Sequence, residues 1–189
     1  MSRYTPQKAA ETRQKIITTA ARMIREDGIK GIAIKGVMSE LGLTVGGFYL
    51  HFKSRDELVV EAIRAASTSL DRLEPGNYDL MRAVGIYLSR THRDMPGEGC
   101  ELSATVSEVS RESMAVRDAF TDQLKSRIAG FTEPAGHQDP QKQRSTALLA
   151  VASCVGALSL SRAVSDPALS QEILSEVRTA LGALIERAT

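Results

Sequence analysis

Apolar residues recur at helical spacing along almost the whole chain. Ile16, Ile17, Ala20, Ala21 and Ile24 fall at i, i+1, i+4, i+5 and i+8, the stripe of a helix that buries one face. Arg13, Arg22, Arg25 and Glu26 fill the other faces. Gly28 follows the last periodic position, where glycine ends helices by taking a left-handed backbone. A first helix is therefore predicted over about 7–27. A two-turn segment over 34–41 comes next, closed by Gly42. Thr44 then suits the start of a short helix over 45–51, because its hydroxyl can accept from the free amides of the first turn. Ser54-Arg55-Asp56-Glu57 has the spacing of a capping box. It opens a fourth helix, whose stripe of Leu58, Val59, Ala62, Ile63 and Ala66 carries it to about Leu73. Pro75-Gly76-Asn77 is a turn.

Beyond that turn the pattern predicts helices over roughly 78–93, 101–110, 114–131, 141–165 and 168–187. No strand-like alternation competes, so the fold class is all-α. The 141–165 segment is apolar around most of its circumference, with Leu148, Leu149, Val151, Ala152, Val155, Leu158 and Leu160. Such a helix must be covered on nearly all sides. A chain of 189 residues covers only part of it, which makes a second subunit the expected lid. Val151, Val155 and Leu158 on that helix, with Ile173, Val177, Leu181 and Leu184 on the last, are the expected dimer contacts. Paired across a two-fold axis, the two hairpins form a four-helix bundle.

Composition sharpens the picture modestly. The net charge of +1 hides an asymmetry. Residues 1–65 carry eleven Lys/Arg against seven Asp/Glu, a net +4, and the remainder carries thirteen against sixteen, a net −3. A basic head on an acidic body suits a module that approaches phosphates. No uninterrupted apolar run reaches the roughly 18 residues of a membrane span, and the N-terminus lacks the apolar core of a signal peptide. A cytoplasmic protein without membrane partners is expected. Cys100 and Cys154 fit no zinc spacing, so no metal or other cofactor is expected. His92 and Cys100, eight apart, raise the question of a Cys–His catalytic pair, but no third group orients them. No enzymatic activity is expected.

The stretch from Val37 to Phe52 carries the most specific signal. Two short helices flank a turn holding Gly42, which is helix-turn-helix spacing. The second helix offers the small residues Val45, Gly46 and Gly47 at its N-terminus, the end that meets base edges in a major groove. Two helical glycines cost about 1 kcal/mol each relative to alanine, and close backbone approach to DNA is one compensation. Tyr49, His51, Lys53 and Arg55 have the reach and donors that phosphates require. Each has an ordinary alternative role: Tyr49 as a core residue, His51 as a helix end, Lys53 and Arg55 as a solvated face, the glycines as a packing device.

Taken in order, Thr12-Arg13-Gln14-Lys15-Ile16-Ile17, Gly28, and the run from Gly42 to Leu58 (GLTVGGFYLHFKSRDEL) closely resemble the DNA-binding domain of the tetracycline-repressor family. The resemblance spans about residues 10–62. It implies that Lys35, Val45, Gly46 and Gly47 face bases or nearby backbone, that Thr44 caps the recognition helix, and that Tyr49, His51 and Arg55 bind phosphates, with Lys53 a fourth by position. Phe48 and Phe52 become core. The chain departs from the family at Ile32-Ala33-Ile34, where a Thr or Ser usually caps the second helix.

The resemblance further implies an N-terminal DNA-binding domain over 1–53 and a helical effector-binding and dimerisation domain over 54–189, joined by the fourth helix. The partners it implies are double-stranded, pseudo-palindromic operator DNA, a second copy of the chain, and a small, largely apolar effector that releases the repressor from its operator. Met81, Tyr87, Met114, Phe120, Leu124 and Cys154 are candidate pocket residues. Two alternatives stay open: a DNA-binding adaptor governed by protein contacts alone, and a switch at the Cys100 thiol. Against the thiol stand Glu98 and Glu101, which raise its pKa.

Overall fold

The computed structural model describes residues 5–65, 80–132 and 139–186, and every regular element in them is helical. Helix α1 (Pro6–Asp27) begins with proline at its first position, capped by the Thr5 hydroxyl, which accepts from the Lys8 amide. It ends at Gly28, with φ 76° and ψ 177°. That combination is open only to glycine, and it differs from the ordinary left-handed cap. Space forbids a side chain there as well, because a Cβ would lie 2.5 Å from Oε1 of Glu108.

Helix α2 (Ile34–Glu40) starts at Ala33 with no side-chain cap, as the Ile32-Ala33-Ile34 stretch implies. Gly42, at φ 67°, makes the turn to α3 (Val45–Phe48). This helix is shorter than the 45–51 expected. The chain continues in turns in which the His51 and Phe52 amides both donate to the Phe48 carbonyl. Helix α4 (Arg55–Ala65) is entered through a capping pair. The Glu57 amide donates to Ser54 Oγ (3.1 Å), and the Glu57 carboxylate accepts in return from the Lys53 amide (2.7 Å). The expected run of this helix to Leu73 and the turn at 75–77 lie outside the described residues.

In the body, the single helix expected over 78–93 is two, α5 (Leu80–Tyr87) and α6 (Arg90–Asp94). Ser89 makes the break by taking extended backbone and accepting from the His92 amide. A 3-10 turn at Pro96–Glu98 precedes α7 (Glu101–Thr105), and a second one covers Val109–Arg111, so the 101–110 segment is also divided. The long helices α8 (Met114–Thr132), α9 (Pro140–Ala163) and α10 (Pro167–Glu186) fall within two residues of expectation. By length and composition α9 is apolar enough to cross a membrane. Its inner face is core, with Ala150, Val151, Cys154 and Leu158 buried.

Two apolar clusters hold the chain together. The body cluster joins α5, α8, α9 and α10 through residues such as Val84, Tyr87, Phe131, Leu158 and Leu174. The head cluster gathers Ile16 and Ile24 of α1, Val37, Phe48, Phe52, and Leu58, Val59, Ala62 and Ile63 of α4. Burying each large side chain of this kind contributes about 1.5–3 kcal/mol. Val109, Val116 and Ala119 of the body complete the head cluster. The packing thus gives α4 to the head, and a cut after residue 53 runs through a shared core.

Candidate nucleic-acid interface

The helix-turn-helix presents its second helix outward. Thr44 caps α3, its Oγ1 accepting from the Gly47 amide at 3.3 Å, while Phe48 is fully buried and stacks on Phe52 at 5.3 Å. Arg13 of α1 lies 4.7 Å over the Phe52 ring and pairs with Glu57 and Glu61 of α4 at 3.8 and 3.5 Å. A cation over an aromatic face and two carboxylates therefore fix α3 between α1 and α4. A rigid scaffold sets the presented side chains with little freedom to lose on binding.

On the outer face Val45 is 43% exposed, Tyr49 61% and Leu50 75%. Gly46 and Lys53 are open to solvent, Lys35 is exposed on the first turn of α2, and His51 is half-buried. Leu50 is a residue that the sequence reading passes over; its signal is a large apolar side chain between Tyr49 and His51. The glycines now have a sharper reading. A Cβ on Gly46 would meet nothing within 4 Å, and one on Gly47 only ordinary contacts at 3.5 Å or more. Neither has a positive φ. Packing inside this chain therefore requires neither glycine.

Arg55 departs from the phosphate-binding expectation. Its Nε donates to the Ile32 carbonyl at 2.9 Å and its Nη2 to the Ile29 carbonyl, and Nη1 lies 3.8 Å from Glu112. The guanidinium is turned into the seam between head and body, because two loop carbonyls without helical partners need donors there. Two further bonds cross the same seam. Arg25 donates to the Gly97 carbonyl at 2.6 Å, and the Lys30 amide donates to Glu108 at 3.0 Å.

Of the expected dimer contacts, Val151, Leu158 and Leu181 are buried in the chain's own core and have no surface left for a partner. Val155, Ile173, Val177 and Leu184 are half-buried. Leu148, Leu149, Leu160 and Leu169 are exposed beside them.

The expected pocket residues divide as well. Tyr87 and Cys154 are buried in the body cluster, and Met81, Phe120 and Leu124 pack against it. Met114 stands apart, 65% exposed at the start of α8. A cavity of about 460 Å³ does open between α5, α6 and α10, and Met81 is the one expected residue that lines it.

His92 and Cys100 meet, but not as a catalytic pair. The Cys100 backbone amide donates to His92 Nε2 at 3.0 Å, and Nδ1–H donates to the Tyr87 carbonyl at 2.8 Å. Both ring nitrogens are thereby committed and the neutral tautomer is fixed; burial lowers the His92 pKa. Burial pushes the Cys100 thiol up, reinforced by Glu101, the opposite of what a reactive thiolate needs.

The family model for bacterial regulatory proteins of the tetR family matches residues 16–62, the segment that forms the outward-facing helix-turn-helix. Over those residues the chain matches the tetR family. Among its relatives, the HTH-type transcriptional regulator AcrR of Shigella flexneri is 32% identical over 74 residues, 39% of this chain and 34% of AcrR. The HTH-type transcriptional repressor KstR2 of Mycolicibacterium smegmatis is 31% identical over 64 residues, 34% of this chain and 31% of KstR2. These matches span about a third of each relative's length. The crystal structure of a TetR transcriptional regulator from Chloroflexus aurantiacus superposes with a TM-score of 0.74 and 21% identity, covering 93% of this chain and 96% of that one. At that identity the likeness speaks to fold alone.

Proposed function

We propose that this chain is a sequence-specific transcriptional regulator, a repressor that binds a pseudo-palindromic operator as a homodimer and leaves it when a small effector binds the body. The observation that carries the reading is the outward face of α3. Val45 on α3 and Tyr49 and Leu50 in the turn that follows are exposed, α3 is locked from behind by Phe48, and the two glycines that open it serve no internal packing. Bare backbone at the start of a recognition helix lets a groove wall come close. Val45 and Leu50 suit thymine methyls, Lys35 reaches neighbouring bases or backbone, and Tyr49, His51 and Lys53 take phosphates. Arg55 is assigned to the seam instead. The names of the relatives, one a regulator and one a repressor, support this class of activity.

The dimer is assigned to the exposed apolar stripe of α9 and α10, formed by Leu148, Leu149, Val155, Leu160, Leu169, Ile173, Val177 and Leu184. A two-fold pairing of that stripe buries it once for each subunit. Selection of genomic fragments on the purified protein tests the whole reading. It should recover one enriched motif with two-fold symmetry, bound by two chains. Recovery of unrelated fragments would refute it. The adaptor alternative keeps the DNA-binding face and differs only in lacking a body ligand.

A further inference from the structure

The cavity between α5, α6 and α10 has a definite chemical character. At about 460 Å³ it lies within the size range of small-molecule sites. Met81, Ile86 and Met95 supply its apolar lining, Arg82 and Arg178 its cations, and Glu98 its one carboxylate. The Arg178 guanidinium rests against the backbone of Gly85, where a Cβ would lie 3.3 Å from Nη2. A side chain at 85 would push the guanidinium away, so the glycine helps to seat the cation at the cavity. Neither Arg82 nor Arg178 has an ion-pair or hydrogen-bond partner among the described residues. His92 also borders the cavity, but its two nitrogens are committed and its ring is neutral. The lining therefore carries an excess of one positive charge beside soft, adaptable thioether surface. Arg178 stands on the side of α10 away from Leu169, Ile173, Val177 and Leu184, so a partner subunit on that stripe leaves the cavity open.

We propose that this cavity binds a small amphiphile bearing a single carboxylate, with its apolar part on Met81, Ile86 and Met95 and its charge on Arg82 and Arg178. Arginine is the side chain best matched to a carboxylate, because its planar fork donates two parallel bonds. The site is also placed to signal. Met95 and Glu98 flank the turn whose Gly97 carbonyl accepts from Arg25 of α1. A ligand that draws on Met95 and Glu98 displaces a direct tether of the DNA-binding head. This second half rests on the proposed DNA-binding function; the first half does not.

Calorimetric titration of the full chain with decanoate, 1-decanol and decylamine, all below their aggregation concentrations, tests the binding half. Decanoate should bind at least tenfold more tightly than either of the others. The double variant R82Q/R178Q should lose that preference while melting within a few degrees of the parent. Absent decanoate binding, equal binding of the alcohol or the amine, or a preference that survives R82Q/R178Q overturns the proposal. For the coupling half, decanoate should weaken binding to the operator recovered by selection. Arg25→Gln should abolish that response while decanoate binds at least as tightly as to the parent, which also shows that the variant is folded. Arginine-dependent decanoate binding with no effect on operator affinity overturns the coupling. If no operator is recovered, the DNA-binding reading fails, and the cavity assignment is decided by calorimetry alone.

Discussion

Gly46→Ala separates the needs of the fold from those of DNA, because the two respond with opposite sign. In a helix, alanine is preferred over glycine by about 0.5–1 kcal/mol, since the glycine backbone loses more conformational freedom on folding. Position 46 is the second residue of α3, in the first turn, so the gain belongs at the low end of that range. Nothing in the chain opposes it: the added methyl meets no atom within 4 Å and the backbone has negative φ. For a chain of this length, 1 kcal/mol moves the melting temperature by about 2–4 °C. Gly46→Ala should therefore melt about 1–2 °C higher than the parent by calorimetry or circular dichroism. If the helix meets DNA through bare backbone, the same methyl enters a closed contact. One excess methyl in a packed site costs about 1–3 kcal/mol, a loss of roughly five- to 150-fold in affinity. Fluorescence anisotropy with the selected operator reads this directly. A more stable protein with unchanged operator affinity would falsify the close-approach argument, and the glycine would then be unexplained.

The remaining predictions concern other parts of the molecule. Tyr49→Phe should weaken binding to all sequences alike with the log–log salt slope unchanged, since a neutral hydroxyl releases no counterion. Lys53→Gln should instead flatten that slope by about 0.9 for one lost phosphate contact. Unaltered affinity or unaltered slope, respectively, argues against each contact. Val155→Asp or Leu184→Asp should convert the dimer to a monomer in sedimentation at micromolar concentration, because each places a charge in an apolar interface. Arg55→Ala should lower stability by about 1–3 kcal/mol, since it strips donors from the Ile29 and Ile32 carbonyls, and should leave the salt slope intact. Burial holds the His92 pKa below its ordinary 6.5, so the unfolded chain takes up its proton first as pH falls. The contribution of His92 is fully present above 6.5 and lost as pH drops toward the folded value. In His92→Gln, this part of the acid-side decline in melting temperature should be missing.

The helix-turn-helix was legible because its signals are local. Thr44, Gly42 and the Ser54–Glu57 pair each act within four residues, and the structure forms every one of those contacts. The body was legible only where helices are long. The end of α6 depends on a partner far along the chain. Arg162, about 70 residues away, donates to the His92 and Arg93 carbonyls that close α6. No periodicity announces such a bond. For Arg55, residue type reports that a guanidinium can bind phosphate, but not that the Ile29 and Ile32 carbonyls accept from it. On α9, apolar residues line several faces, and spacing alone does not say which face the chain's own helices take. Val151 and Leu158 went inward with α8 and α10, leaving Leu148 and Leu149 outside.

The seam between head and body limits how the molecule can move. Arg25, Lys30 and Arg55 reach from the head to Gly97, Glu108 and Glu112, all within one 16-residue stretch of short helical turns around α7. Val109 from that stretch, with Val116 and Ala119 of α8, also closes the head's own apolar core. A head swinging alone on the 53–54 junction would expose those side chains at about 1.5–3 kcal/mol for each large one and leave buried acceptors unpaired as well. The stretch from 97 to 112 therefore has to travel with the head. The same stretch is also tied to the body: Cys100 and Leu102 lie in the body core, the Cys100 amide donates to His92, and Ser159 and Arg162 of α9 donate to Ser103. A shift in the body therefore reaches the head core as a block, so the geometry of α3 is kept while its position relative to the α9–α10 stripe changes. For a regulator that must alter the spacing of two intact recognition helices, rather than unfold them, that is the mechanical arrangement required.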